Sequence, residues 1–267
     1  MVALRKPFFV VPVFLSNLSA SDSRAGFPPS NVARLDVMGL VWSCPGPSGG
    51  WIAGQMPANS SIDFLSMVNG GIYTNSVYRL RLGDSLEEVT GSSAKYDNLS
   101  TPYLDGGHTG QADGRYHSHL ELPSPVSASW FRIDFGGMGG PFELGGIVLG
   151  KKLEPSRFYD KDFERGSEDL GSVELNRFAV PDYTPGAKLR TLSFTLSWLN
   201  EAEYELTFAP FFELLGTTSV VFCCFDPALS PYRQNRTYLG WLRNPPFARG
   251  GAKPRNMSME FQIRSLI

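Results

Sequence analysis

The chain is poor in several things, and each scarcity closes off a class of protein. Three cysteines in 267 residues are too few for a disulfide framework, and the adjacent Cys223 and Cys224 would point to opposite faces of a strand. All three read as buried small hydrophobes. No Cys-x-x-Cys pair or mixed Cys/His zinc spacing occurs. The three histidines leave few groups that titrate near neutrality. Charged residues make up only 19%, and a net charge of −2 excludes a wholly basic nucleic-acid coat. No apolar run approaches the roughly 18 residues that a membrane helix needs. Punctuation, by contrast, is plentiful. The 28 glycines and 20 prolines interrupt helices throughout, while 13% aromatics is too hydrophobic for a disordered chain. The expected class is mainly β with many turns, in one large domain or two ordinary ones.

Arg5 and Lys6, followed by an apolar stretch over 8–15 and small residues over 16–23, mimic a secretory signal peptide. Pro12 suits an edge strand or a strand start, so 1–30 is read as a structural N-terminal strand or arm. Residues 31–150 carry short β segments at about ten-residue spacing, the pattern of a sandwich or barrel. Strands are expected over 37–42, 62–68, 76–82, 130–135 and 142–150, the last with a bulge at Gly145 and Gly146. One long excursion over 96–120 holds all three histidines.

After 151 the texture changes. Residues 153–171 are charged and read as an irregular linker or arm. A long alternating strand over 188–198 turns Leu189, Leu192 or Phe194 toward a core. A helix follows over 200–216, capped by Asn200, kinked at Pro210 and stopped by Gly216. A buried strand over 219–225 and an alternating strand over 257–263 complete the chain. Positions 227–267 hold seven bases (Arg233, Arg236, Arg243, Arg249, Lys253, Arg255, Arg264) against one acid, Glu260.

Several constellations could carry chemistry. On a strand His117 and His119 would share one face, with His108, Asp105 or Asp113 as a third metal ligand from the loop. No metalloprotease helix motif, serine-nucleophile elbow or phosphate loop accompanies them, and loop acids such as Asp97 and Glu121 form no recognisable pair. No enzyme activity and no cofactor are expected. Sugar binding needs aromatic rings flanked by amide or carboxylate groups, and Trp51, Tyr73, Tyr96 and Tyr103 lie in predicted loops beside Asn75 and Asp97, with Tyr116 nearby. Arg233, Arg236, Tyr238, Trp241 and Arg243 have the composition of an oligomer interface, although arginines interleaved with rings also suit a single-stranded nucleic acid.

The second half, with its TLSFTLSWL strand, acidic helix, glycine stop, SVVFCCFDP strand and final alternating strand, resembles the tail-tube fold of distal tail and tail-tip (baseplate) proteins of long-tailed bacteriophages. The first half resembles the discoidin-like jelly rolls often fused to them, through Trp42 before a Pro/Gly loop, the strands over 62–69 and 77–82, the Tyr96-Asp97 pair, the 130–135 strand and the ELGGIVLGKKLEP exit. The resemblance implies a discoidin-like jelly-roll β-sandwich over 31–150 and a tail-tube-type β domain with one helix over 151–267. It also implies a virion structural protein of the tail tip, assembled in the bacterial host cytoplasm. Six or three copies would form a ring joining the tail tube to hub or fibre proteins, its jelly roll touching surface glycans. The alternative is a secreted carbohydrate-binding module.

Overall fold

A computed structural model describes residues 4–46, 50–73, 75–104, 114–216, 218–244, 246–250 and 255–267. The chain is mainly β and forms two compact units, Met1–Glu154 with Phe222–Thr237, and Pro155–Val221 with Tyr238–Ile267. No change of composition marks the segment that returns to the first unit.

The first unit is a β-sandwich. Its principal sheet runs Gly146–Gly150, Trp51–Val68, Leu120–Gly136, Val77–Gly83, Tyr96–Asp97, with Ser16–Ala20 and Thr101–Pro102 pairing at its flanks. The period-two pattern over 77–82 does what it advertises, since Tyr78, Leu80 and Leu82 all enter the core. Trp51–Val68 reaches 18 residues because register shifts between Gln55 and Ser60 and between Ile62 and Phe64 let it bend across the unit. Trp42–Cys44 pairs with Phe142–Leu144, and the two bring Trp42, Phe142 and Leu144 into the same core as Phe131 and Ile133. The Trp42 ring meets Phe142 edge-on at 5.4 Å, while its indole N–H donates to the Asp22 carbonyl at 3.1 Å.

Two local expectations are corrected. Positions 37–41 make turns, with Val37 N–H on the Arg34 carbonyl at 3.1 Å and Leu40 N–H on Val37 at 3.0 Å. An Arg34–Asp36 ion pair within that turn and Gly39 favour it over extension, so the strand starts only at Trp42. The apolar N-terminal segment is no edge strand. Phe8–Val10 is fully buried and is paired on both sides, Phe9 opposite Leu153 and opposite Cys223. Pro12 lies beyond the paired residues, where its missing N–H costs no ladder bond.

In the second unit the order is Thr237–Leu242, Asn256–Ser265, Lys188–Asn200, Glu164–Asp169, with Ala248–Gly250 also paired to Asn256–Ser265. Leu192, Phe194 and Leu196 face inward. A register shift between Leu196 and Leu199, with Trp198 at φ +65°, turns Trp198 outward and restores Leu199 to the core. Phe194 stacks on Phe261 at 5.3 Å, and Phe208 and Phe212 approach Phe261 at 6.1 and 5.8 Å. The two latter rings come from the expected helix. Asn200 caps it, its side chain accepting Glu203 N–H at 2.7 Å. Pro210, which cannot donate an N–H, follows a widened π turn over Tyr204–Phe208 in which Ala209 N–H reaches the Tyr204 carbonyl. Gly216 ends it.

The stretch over 153–171 is not wholly irregular. Glu164–Asp169 pairs residue for residue with 188–193, an edge strand held by its backbone, whose charged side chains give no hydrophobic period to detect. Beyond it, Ser172–Leu175 and Pro181–Thr184 form a separate two-stranded hairpin. Among the described residues no helix is long and apolar enough to cross a membrane.

Candidate functional site

In the first unit an open hollow of about 430 Å³ is lined by Ile72, Tyr73, Asn75, Leu104, Tyr116, Gly137 and Gly139. Local hydrogen bonding fixes its wall. Ser76 N–H donates to the Tyr73 carbonyl at 3.0 Å, Tyr73 N–H donates back to Ser76 Oγ at 3.2 Å, and that hydroxyl meets Met138 Sδ at 3.1 Å. Gly137 sits at φ +67°, and a Cβ there would lie 2.4 Å from the Asn75 carbonyl oxygen. Only glycine permits this approach. The Tyr73 ring lies against Gly139, whose Cβ would stand 3.3 Å from it, and its hydroxyl donates to the Pro141 carbonyl at 3.3 Å. The ring remains 41% exposed. On the far side Tyr116 is held by paired backbone bonds to Gly70 at 2.9 and 3.0 Å. A neighbouring hollow of about 330 Å³ is lined by Arg24, Ser43, Gly71, Arg115 and Glu143 among others, with Arg115 3.6 Å from Glu143.

Of the predicted sugar-binding residues, the structure brings Tyr73, Asn75 and Tyr116 together in this hollow. Tyr103 is a core residue, 1% exposed, its hydroxyl donating to the Met67 carbonyl at 2.8 Å. Burial raises the pKa of its phenol well above the ordinary range. Trp51 and Asp97 belong instead to a charged ladder across the sheet. Arg132 lies 4.5 Å over the Trp51 ring and pairs with Asp134 at 2.7 Å, as does Arg81. Arg79 grips Asp97 with both arms of its guanidinium, and those hydrogen bonds hold the Asp97 carboxyl below its usual range. Tyr96, half-buried, pairs with Leu82 at the end of this ladder, and burial raises its phenol pKa. Ile72 and Leu104 were not singled out in the sequence, where an apolar residue in a loop carries no distinguishing pattern.

Among the described residues His117 and His119 belong to no metal-holding group. His117 is buried, its Nδ1 accepting Asn69 N–H at 3.1 Å, while its backbone clasps the Gln234 side chain at 2.9 and 2.8 Å. His119 stands edge-on to Phe8 and Phe64, with Nε2 3.0 Å from Glu121. Neither lies on a strand, because Leu120–Gly136 begins just after them. His108, Asp105 and Asp113 lie outside the described residues. Among the described residues no group of three or more His, Cys, Asp and Glu could hold a metal ion.

Glu121 anchors an ionic hub. Arg5 donates two hydrogen bonds to it at 2.7 and 2.8 Å, and Lys152 donates a third at 2.6 Å. Burial alone would raise the carboxyl, but the hydrogen bonds from His119, Arg5 and Lys152 outweigh it and hold Glu121 well below the usual carboxylate range. Burial lowers the His119 pKa despite Glu121 beside it. These groups tie the N-terminal strand to the sandwich.

Of the expected interface residues, Arg233 and Arg236 belong to the first unit and Tyr238, Trp241 and Arg243 to the second. Arg233 is buried, and burial brings its guanidinium down to about 10. Arg236 pairs with Asp226. Tyr238 is buried in the second unit, its hydroxyl accepting from Arg165 Nε at 2.9 Å. Trp241 is half-buried, and only Arg243 is exposed. A groove of about 580 Å³ in the second unit is lined by residues including Thr191, Ser193, Thr195, Glu164, Glu260 and Arg264, with no aromatic ring among the described residues.

No family model matches the chain, and no curated protein is detectably similar to it. Among solved structures it is similar to a Streptococcus pneumoniae fucose binding module, with 12% identity over 51% of this chain and 90% of that one, at a TM-score of 0.37. A pectin binding carbohydrate binding module gives 17% identity over 55% and 98%, at 0.37. The lectin domain of lectinolysin complexed with Lewis B antigen gives 10% over 52% and 94%, also at 0.37.

Proposed function

We propose that the first unit is a non-catalytic carbohydrate-binding module and that the Tyr73 hollow is its sugar site. The observation that carries this reading is the half-exposed Tyr73 ring, backed by Gly139 and flanked by Asn75 and Tyr116 in one open hollow. A ring offers a flat apolar surface to the C–H face of a pyranose, and an amide can both donate to and accept from its hydroxyls. The Tyr73–Ser76 hydrogen bonds and the close Gly137–Asn75 approach hold both groups before ligand arrives, which keeps the ordering cost of binding low. The test is a screen of the intact chain against immobilised glycans, with Tyr73→Ala alongside. Binding by the parent, weakened about tenfold or more in the variant, supports the assignment. A parent that retains no glycan, or a variant that binds as well as the parent, refutes it.

A second reading makes this module part of a structural subunit, the phage tail-tip component that the sequence resembles, with self-association into a ring as its assembly step. Exposed apolar side chains on the second unit's hairpin favour it. Its partners would be tail-tube and hub or fibre proteins, and its location the virion.

A further inference from the structure

The Tyr73 hollow has a neighbour of different chemistry. That second hollow, about 330 Å³, is lined by Arg24, Ser43, Arg115 and Glu143, with Gly71, Pro141 and Phe142 completing it. The two adjoin along three segments of chain. Gly71 lines one and Ile72 the other, Arg115 one and Tyr116 the other, Pro141 one and Gly139 the other. Tyr73 reaches between them, since its hydroxyl donates to the Pro141 carbonyl at 3.3 Å and a Cβ on Gly140 would lie 2.7 Å from that oxygen. The Tyr73 hollow has no charged residue in its described lining, whereas its neighbour has three.

Strand alternation builds the floor of the second hollow. Ser43 stands opposite Glu143 in the paired strands Trp42–Cys44 and Phe142–Leu144. Trp42, Cys44, Phe142 and Leu144 enter the core, so Ser43 and Glu143 lie together on the other face. On the far side of Glu143, Gly71 N–H donates to its carbonyl at 2.9 Å, and a Cβ at Gly71 would meet nothing within 4 Å. Arg24 N–H donates to the Ser43 carbonyl at 2.9 Å, which fixes the arginine beside the serine. Ser43 is only 4% exposed, yet its hydroxyl makes no hydrogen bond among the described residues. A nearly buried hydroxyl left without a protein partner is a donor held for something outside the chain.

The charges do not cancel. Arg115 faces Glu143 at 3.6 Å. Arg24 lies 5.8 Å over the Phe27 ring and has no carboxylate partner among the described residues. Two guanidiniums against one carboxylate leave the lining one positive charge in excess.

We propose that the second hollow is an anion subsite and that the glycan this module takes is acidic. One unit stacks on Tyr73, and the next places a carboxylate or a sulfate ester over Arg24 and Ser43. A guanidinium presents a planar fork that meets either oxyanion with two hydrogen bonds, and the serine hydroxyl adds a third donor. Glu143 orients the unit, repelling the anion toward Arg24 while accepting from ring hydroxyls. This deepens the sugar-site reading above and rests on it.

Calorimetric titration of the intact chain tests it, with short oligouronides, the same oligomers after carboxyl reduction, and a sulfated and a desulfated galactan oligomer. The readout is the ratio of acidic to neutral affinity, and whichever of the two acidic probes is preferred names the anion. The parent should prefer one acidic oligomer over its neutral counterpart by about tenfold, the scale of a charge-assisted pair, and should lose most of that preference in high salt. Arg24→Gln should bring the ratio close to one. Glu143→Gln leaves both guanidiniums unopposed and should raise it by about threefold, a gain that a misfolded variant cannot produce. Circular dichroism and thermal unfolding like the parent's confirm that both variants fold. A parent that binds the neutral oligomers as tightly as the acidic ones overturns the proposal and leaves the Tyr73 site standing. A preference untouched by Arg24→Gln, or not raised by Glu143→Gln, overturns it too, as does a parent that binds no glycan. A preference that is lost in Arg24→Gln but kept at full affinity in Tyr73→Ala supports the anion subsite and refutes Tyr73 as the neighbouring sugar platform.

Discussion

Changing Glu121 to Gln keeps the size of the side chain and removes its charge, which makes it a clean probe of how the N-terminal strand is fastened. The Arg5 side chain is 46% exposed, so its guanidinium can rehydrate, and its share of the loss is about 0.5–1 kcal/mol. Lys152 and His119 are largely buried. Gln keeps one acceptor oxygen but no charge, so the largely buried Lys152 ammonium and His119 ring face a neutral amide with its NH2 pointed among donors, about 2–3 kcal/mol more, toward the lower end of what breaking a buried pair costs. The total, about 3 kcal/mol, should lower the melting temperature of the first unit by about 6–12 °C. Scanning calorimetry of parent and variant at pH 7 checks it. Because the folded-state carboxyl lies below its unfolded value, the advantage of the parent is fully present above pH about 4.3. It is lost as pH falls from there through the folded pKa. The melting difference should therefore persist from pH 7 to 5 and narrow only in stronger acid. A difference below about 0.5 kcal/mol at pH 7, or one that vanishes already at pH 6, would refute the reasoning.

Other perturbations probe separate parts of the structure. Gly137→Ala places a Cβ against the Asn75 carbonyl at positive φ and should cost about 1–3 kcal/mol, read by thermal unfolding, with loss of glycan retention. Phe261→Ala removes the ring shared by Phe194, Phe208 and Phe212 and should cost about 3–5 kcal/mol; urea unfolding followed by near-ultraviolet dichroism measures it. Cys44, Cys223 and Cys224 are all buried, and burial pushes the Cys223 and Cys224 thiols up. A thiol reagent at pH 8 should label none of the three until denaturant is added. Below pH 6.5 the parent should also begin to lose stability, because burial holds His119 neutral in the fold while the unfolded chain takes up its proton.

The elements that could be read from the sequence were those whose hydrophobic pattern is decided locally. The alternation over 77–82 and 188–196 and the Asn200 cap all express a neighbour-to-neighbour rule, and the structure keeps them. What the sequence hid depends on partners far along the chain. Phe8–Val10 looks like an edge because nothing local says that residues 152–153 and 222–224 flank it. Glu164–Asp169 has no apolar period, since an edge strand can be held by its backbone alone. In the proposed sugar site, Tyr73 and Asn75 stand out in the sequence because a turn rich in polar groups keeps its rings near the surface. Tyr103 and Tyr238 look the same in sequence, yet each is buried against a specific partner, Met67 or Arg165, that only tertiary structure supplies.

Hydrogen–deuterium exchange of the intact chain with and without its best-retained oligosaccharide tests the proposed place of the sugar site most directly. Ligand should slow exchange at backbone amides of 72–76, Tyr116 and 137–141, the segments that build the Tyr73 hollow. Protection confined to the charged ladder of Trp51, Arg79, Asp97 and Arg132, or to the groove of the second unit, would contradict it.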